Sequence, residues 1–558
     1  FPYTTLFRSV SRRRFLQIMA ASAAMAGLAG CSWPEDEIVP FAKRPEGFTP
    51  GTARHFATAM ELGGVGQALL ATSYDGRPIK VDGNPDHPWS LGGASAQMQA
   101  SVLDLWNVDR SRAVTRREGN QTVTATWNDF ADFAGPHLER LADRGGRGLA
   151  ILAGASSSPS RARLRAELQR RFPQMRWYQH EPVSDAARLA GAERAFGRPL
   201  RDVPHLEHAR VIADLDCDLL HRHPAAMRNA RQFATRRDPD PATMNRLWVF
   251  EPTLSNTGVT ADHRVPVARS QIGLCLGALA AELVAAHGVA LPAGCGISPA
   301  DLAPLRGQAP RQAEIEALAD DLASHRGEGL IAVGDRQAPG VHHLAHVLNV
   351  ALGNLGKTVT MQTATKPDPD LAALVDALGR DQVDTLVILG GDPVATAPGD
   401  LDVAAALART GTTIHLAERH NATSEHGHWH LPRAHYLETW GDALAADGSL
   451  LAVQPLIEPL HGARSELELL ATLLGEAAPR GHDVVRTTFH RRENGTGDAP
   501  ANDPRFEERW RRFLHDGFLA APDGLAPALA TATLDLPADE APSADTLELL
   551  IAADAAVH

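Results

Sequence analysis

Lysine and cysteine are both scarce in this chain of 558 residues. Lys stands only at 43, 80, 357 and 366, so the basic residues are nearly all Arg, a bias of GC-rich coding that carries no mechanism. The four cysteines are Cys31, Cys217, Cys275 and Cys295, with no C-x-x-C spacing among them. That excludes an iron–sulfur cluster of the usual kind, which needs four thiolates delivered from tight turns. Cys217 and Cys275 read instead as small buried hydrophobes. No G-x-S-x-G, Walker loop or H-E-x-x-H is present, which leaves hydrolase and nucleotidase readings without support. Excess positive charge is missing too: a net charge of -13 argues against nucleic acid as a partner.

What is present begins with an address. Ser11-Arg12-Arg13-Arg14-Phe15-Leu16-Gln17 is followed by a weakly hydrophobic run from Ile18 to Leu28, then by Leu28-Ala29-Gly30-Cys31. Basic, apolar and small segments in that order form a secretory signal, too short for a permanent membrane helix. Arg12, Arg13, Phe15 and Leu16 give it the twin-arginine form, read by a receptor that passes folded proteins. The last four residues match a lipobox, in which Cys31 is lipidated and holds the protein to a membrane. The expectation is a lipid anchor on the outer, periplasmic face of the cell membrane. Residues 1–9, with Thr4-Thr5-Leu6-Phe7-Arg8-Ser9, read as a sequencing artefact.

Hydrophobic residues make up 44% of the chain, enough for two to four domains. After the signal (10–31) and a linker (32–50), residues 51–115 read as a β-rich cap. There, runs 66–74 and 77–81 flank Asp75-Gly76, a strong hairpin signal. Over 116–475, buried strands at 148–153, 211–216, 247–251, 330–334 and 385–390 alternate with helices at 160–171, 273–287, 312–325 and 341–352. That alternation predicts an α/β fold of doubly wound parallel sheets. Residues 476–545, rich in Pro and Ala, read as irregular, and 546–558 as the start of a truncated strand.

Ligands of such sheets sit at the carboxyl ends of strands. The candidate loops are 154–158 (Gly-Ala-Ser-Ser-Ser), 216–218 (Asp-Cys-Asp), 251–253 (Glu-Pro-Thr) and 390–393 (Gly-Gly-Asp-Pro), whose small residues let backbone N–H groups approach an anion. His420, His426, His428, His430 and His435, with Glu418 and Glu425, could face a metal from a strand. They read rather as a buried polar layer or a surface loop. Asp262-His263-Arg264 reads as a structural hydrogen-bond knot, since an Asp beside an Arg usually pairs.

Several stretches resemble a known family. They are Gly76-Arg77-Pro78-Ile79-Lys80-Val81-Asp82-Gly83-Asn84-Pro85-Asp86-His87-Pro88, residues 99–105, Thr257-Gly258, residues 261–264, 349–358, 389–393, 435–442 and 454–457. In this order they resemble the molybdopterin oxidoreductase superfamily, with its multi-domain fold, and in particular the N-terminal half of the B subunit of bacterial alternative complex III, a quinol-oxidising respiratory complex. Catalytic members carry a cysteine cluster in the cap, where this chain has Ala57-Thr58-Ala59-Met60-Glu61-Leu62-Gly63. A metal ligand would come from a strand-end loop, and only 156–160 offers serines for it. The resemblance therefore implies a half without cofactor or catalytic residues of its own. The 4Fe-4S and 3Fe-4S clusters would lie in a C-terminal half, and the partners would be a quinol-binding membrane subunit and c-type cytochrome subunits. The alternative is an exported molybdopterin-dependent oxidoreductase acting on a small oxyanion or sulfur compound.

Overall fold

Uninterrupted apolar runs become central parallel strands. In the computed structural model, which describes residues 49–551 except 120, 241–242, 496, 498–502, 523, 538–541 and 544, Leu149–Ala153 pairs in parallel with Thr385–Leu389 and with Arg176–Gln179. Their seven-stranded sheet runs Gln121–Ala125, Val114–Glu118, Trp429–Pro432, Thr412–Ala417, Thr385–Leu389, Leu149–Ala153, Arg176–Gln179, with an antiparallel hairpin at one edge. Both faces are covered: Ile151, Val387 and Leu389 join one core cluster, Leu152, Leu386 and Ile388 another. Burying each such side chain stabilises the fold by about 1.5–3 kcal/mol.

A second, all-parallel sheet runs His263–Pro266, Arg246–Glu251, Val211–Leu215, Gly329–Val333. It is nested inside the first, because its strands fall between Arg176–Gln179 and Thr385–Leu389 in the chain. The cap is an antiparallel sheet of Arg54–Leu62, Val65–Tyr74 and Arg77–Gly83. Its turn puts Asp75 and Gly76 at φ 50° and 80°, the two left-handed residues of the hairpin that Asp-Gly predicts. Residues 57–63, where a cap cysteine cluster would stand, lie almost wholly in the strand Arg54–Leu62. These elements belong to one unit, Ala53–His558. Phe1–Thr52 is a separate unit of which only 49–52 are described, so Arg12, Arg13, Phe15, Leu16 and Cys31 lie outside the described residues. No described helix is long and apolar enough to cross a membrane.

The stretch 476–545 departs from its irregular reading. It holds two helices, Gly481–Asn494 and Pro504–Asp516, and the short strand Phe518–Leu519. Phe506, Trp510 and Phe513, spaced four and three apart, give the second helix one buried face, and Phe489 stacks on Phe513 at 4.9 Å. The strand pairs with Leu450–Val453, itself paired with Gly441–Leu444. From 520 to 537 the described residues do lack regular structure. The strand expected from 546 is absent: among the described residues Ser543 and Thr546 form an isolated bridge, while Leu547, Leu549 and Ile551 are exposed. Among the described residues the segment is tied down by a side chain instead: Glu548 accepts from Arg269 N and Ser270 N, each at 2.9 Å.

Candidate functional site

Strand Leu149–Ala153 ends at Gly154, and after four residues the helix Pro159–Arg171 begins. Pro159 stands at the first helical position and Ser158 accepts a hydrogen bond from Arg161 N at 3.1 Å. Such a loop gathers free N–H groups and hydroxyls. Three carboxylates of the chain itself claim them. Glu61, on the cap strand Arg54–Leu62, accepts from Ser157 N at 2.5 Å, Ser157 Oγ at 2.7 Å and Ser156 Oγ at 2.8 Å. Glu181 accepts from Ala155 N at 2.7 Å. Asp442 accepts from the Ser158 hydroxyl, from Ser160 Oγ at 2.6 Å and from Ser160 N at 3.1 Å. Burial pushes all three carboxyls up from the ordinary range, while these hydrogen bonds pull the other way.

The loop lies on the wall of two cavities. The larger, about 840 Å³, is lined by Ser156, Ser158, Arg161, Arg165, Trp177 and Arg201 among others. Arg161 and Arg165 both stack on Trp177, at 5.4 and 4.9 Å from the ring centroid. Asp368 holds Arg165 and Asp185 holds Arg201. The smaller cavity, about 320 Å³, shares Ser156, Ser158 and Arg161 and adds Glu61, Glu418, His435 and Asp442.

Loops 216–218 and 251–253 meet at a third cavity of about 230 Å³ on the nested sheet. There too the polar groups are paired: Asp216 with Arg336 and Gln337, Asp218 with Thr257 Oγ1 at 2.6 Å, Glu251 with Arg264 at 2.5 Å. Loop 390–393 is tied down through Asp392, which accepts from Thr423 N at 3.0 Å and Thr423 Oγ1 at 2.6 Å. In the trio 262–264, Asp262 pairs with Arg237 at 2.8 Å, His263 stacks on Trp248 and Arg264 takes Glu251.

Of the histidine cluster the structure brings together His420 and His430, with ring centroids 5.1 Å apart, and places His415 6.0 Å from His430. His430 and His435 are buried, with Nε2 atoms 2.7 Å from Ser111 Oγ and 3.1 Å from Ser101 O; His428 accepts from Thr413 N at 3.0 Å; His420 and Glu425 are exposed, and His426 is half-buried. Burial depresses His430 to about 3 and His435 to about 4, so both rings are neutral. Among the described residues no group of three or more His, Cys, Asp or Glu is arranged to hold a metal ion. Cys217, Cys275 and Cys295 are buried free thiols, and burial pushes Cys275 up to about 12.

No protein-family model matches the chain. It is 25% identical over 268 residues, 46% of its length, to the molybdopterin-binding-like subunit of a menaquinone reductase from Nitratidesulfovibrio vulgaris. To a periplasmic nitrate reductase from Desulfovibrio desulfuricans it is 22% identical over 262 residues, again 46% of its length. These matches span 38% and 33% of the two relatives. Among solved structures, acetylene hydratase from Pelobacter acetylenicus superposes with a TM-score of 0.62 at 10% identity, over 84% of this chain and 74% of that one. The fold is molybdopterin-oxidoreductase-like.

A molybdopterin-type metal centre asks the 154–158 region for a free ligand atom. The side chains do not fit it: the hydroxyls of Ser156, Ser157 and Ser158 donate to Glu61 or Asp442 and also accept, from Ser158 N, Leu444 N and Arg161 N at 3.0–3.1 Å. Glu61 and Glu181 escaped the sequence reading, although Glu61 stood within the quoted stretch 57–63. An Arg-x-x-x-Arg at 161 and 165, aimed at Trp177, was the one available signal for the larger cavity.

Proposed function

We propose that this chain is a cofactor-free structural and docking half of a membrane-associated respiratory oxidoreductase subunit of the alternative complex III type. Electron transfer from quinol would be carried by 4Fe-4S and 3Fe-4S clusters in a C-terminal half. Its partners would be a quinol-binding membrane subunit and c-type cytochrome subunits, and it would be anchored through Cys31 on the periplasmic face after twin-arginine export. The observation that carries the reading is the strand-end loop whose donors are held by Glu61, Glu181 and Asp442. The likeness to a molybdopterin-binding-like subunit of a menaquinone reductase supports the respiratory setting.

The second reading is an exported molybdopterin-dependent oxidoreductase acting on a small oxyanion or sulfur compound. It is favoured by the cavity of about 840 Å³, with Arg161 and Arg165 stacked on Trp177. The test is metal and pterin content of the protein purified from its own membranes, by plasma mass spectrometry and by fluorescence of the oxidised pterin. Both are expected far below one per chain. A molybdenum atom or a pterin in stoichiometric amount overturns the docking reading in favour of the enzyme.

A further inference from the structure

We infer that Glu61 is an internal ligand of the 154–158 loop: its carboxylate takes the donors that an anionic group in the cleft would need, and so closes the cleft from within. The inference rests on the cofactor-free reading and assigns that property to one side chain.

The carboxylate is delivered by geometry. In the cap register Glu61 faces Gly66, and a Cβ at Gly66 would stand 2.9 Å from both Ala443 Cβ and Leu451 Cδ1. The hairpin is therefore seated directly on the Gly441–Leu444 and Leu450–Val453 strands, which fixes the backbone from which Glu61 reaches the loop. The receiving loop is held as firmly, because Leu444 N donates to Ser157 Oγ at 3.0 Å. Three donors converge on the two oxygens of Glu61, one backbone N–H and two hydroxyls, which is how a loop at a helix N-terminus grips an oxyanion. Arg161 favours the charged carboxylate through space, while its own direct bonds go to Glu466 at 3.0 Å and Gly154 O at 2.7 Å. Glu61 lines the space of about 320 Å³ and Ser157, which it holds, lines the one of about 840 Å³, so these hydrogen bonds link the walls of the two. Removing the carboxylate frees the donors toward both.

Inorganic pyrophosphate, titrated by calorimetry into the full chain and its variants, tests this. The wild type is expected to give no saturable heat. Glu61→Ala is expected to bind at least tenfold more tightly than the wild type, and Ser157→Ala added to it to lose most of that gain. Wild-type binding equal to that of Glu61→Ala overturns the inference, as does a folded Glu61→Ala with no saturable binding. If Glu61→Ala does not fold, Glu61→Ser, whose side chain is too short to reach the donors of Ser156 and Ser157, decides by the same criterion. Failure here leaves a clean, cofactor-free wild type; failure of the docking reading appears as metal or pterin in the wild type itself.

Discussion

Arg110 and Glu438 form a fully buried ion pair. Their two parallel hydrogen bonds, 2.8 and 2.6 Å, join side chains that are 3% and 0% exposed. Glu438 also accepts from His435 N and Leu460 N, each at 2.8 Å. Removing one partner leaves a buried charge alone, so Glu438→Ala is expected to cost about 3–5 kcal/mol in urea denaturation. The double change Arg110→Met, Glu438→Met removes both charges and should cost well under the sum of the singles; strict additivity would contradict the buried pairing. At this scale the sequence was half legible. Glu438 and Asp442 stood in the quoted stretch 435–442, and Ser156 to Ser158 among the candidate loops. Their partners did not announce themselves, because Arg110 lies 328 positions from Glu438 and Ser158 lies 284 from Asp442.

Elements were readable where periodicity was strong and local. The strands at 149–153, 211–215 and 385–389 followed from unbroken apolar runs, and the hairpin from Asp75-Gly76. The helix Pro504–Asp516 was lost in the Pro- and Ala-rich composition around it, although Phe506, Trp510 and Phe513 mark a helical face and Gly517, at φ 81°, caps its end. That face packs on Phe489 and Trp440, with ring centroids 5.3 and 6.3 Å from Trp510. Trp510→Ala should therefore cost about 3–5 kcal/mol, whereas the exposed Glu508→Ala should stay within about 0.5 kcal/mol. Equal effects of the two in a denaturant titration would mean that the helix is not docked.

At the scale of the whole molecule, nesting was invisible, since no local pattern says that Leu149–Ala153 will pair with Thr385–Leu389 across an inserted sheet. The insertion is held by a strap that sequence composition shows only as irregular. Beyond Phe518–Leu519 the chain exchanges backbone hydrogen bonds between Leu525 and Met361 at 2.7 and 2.8 Å. It then donates Ala530 N to Ala195 O at 2.7 Å and Ala532 N to Cys295 O at 3.2 Å. Leu529, Leu534 and Leu536 pack on the core of the nested sheet, and Asp535 pairs with Arg194. The strap passes so close to helix Pro339–Ala351 that a Cβ on Gly340 would fall 1.4 Å from Asp535 O. Backbone cannot yield there without moving, so Gly340→Ala should lift the strap and expose the leucines beneath it. Hydrogen exchange is expected to quicken at least tenfold in Val359–Thr363 and Ile272–Ala285, which the strap covers, and to stay unchanged in Thr385–Leu389, which it does not touch. Uniform acceleration across both sheets would instead show that the two α/β layers open as one cooperative unit, with the strap adding nothing local to the nested one.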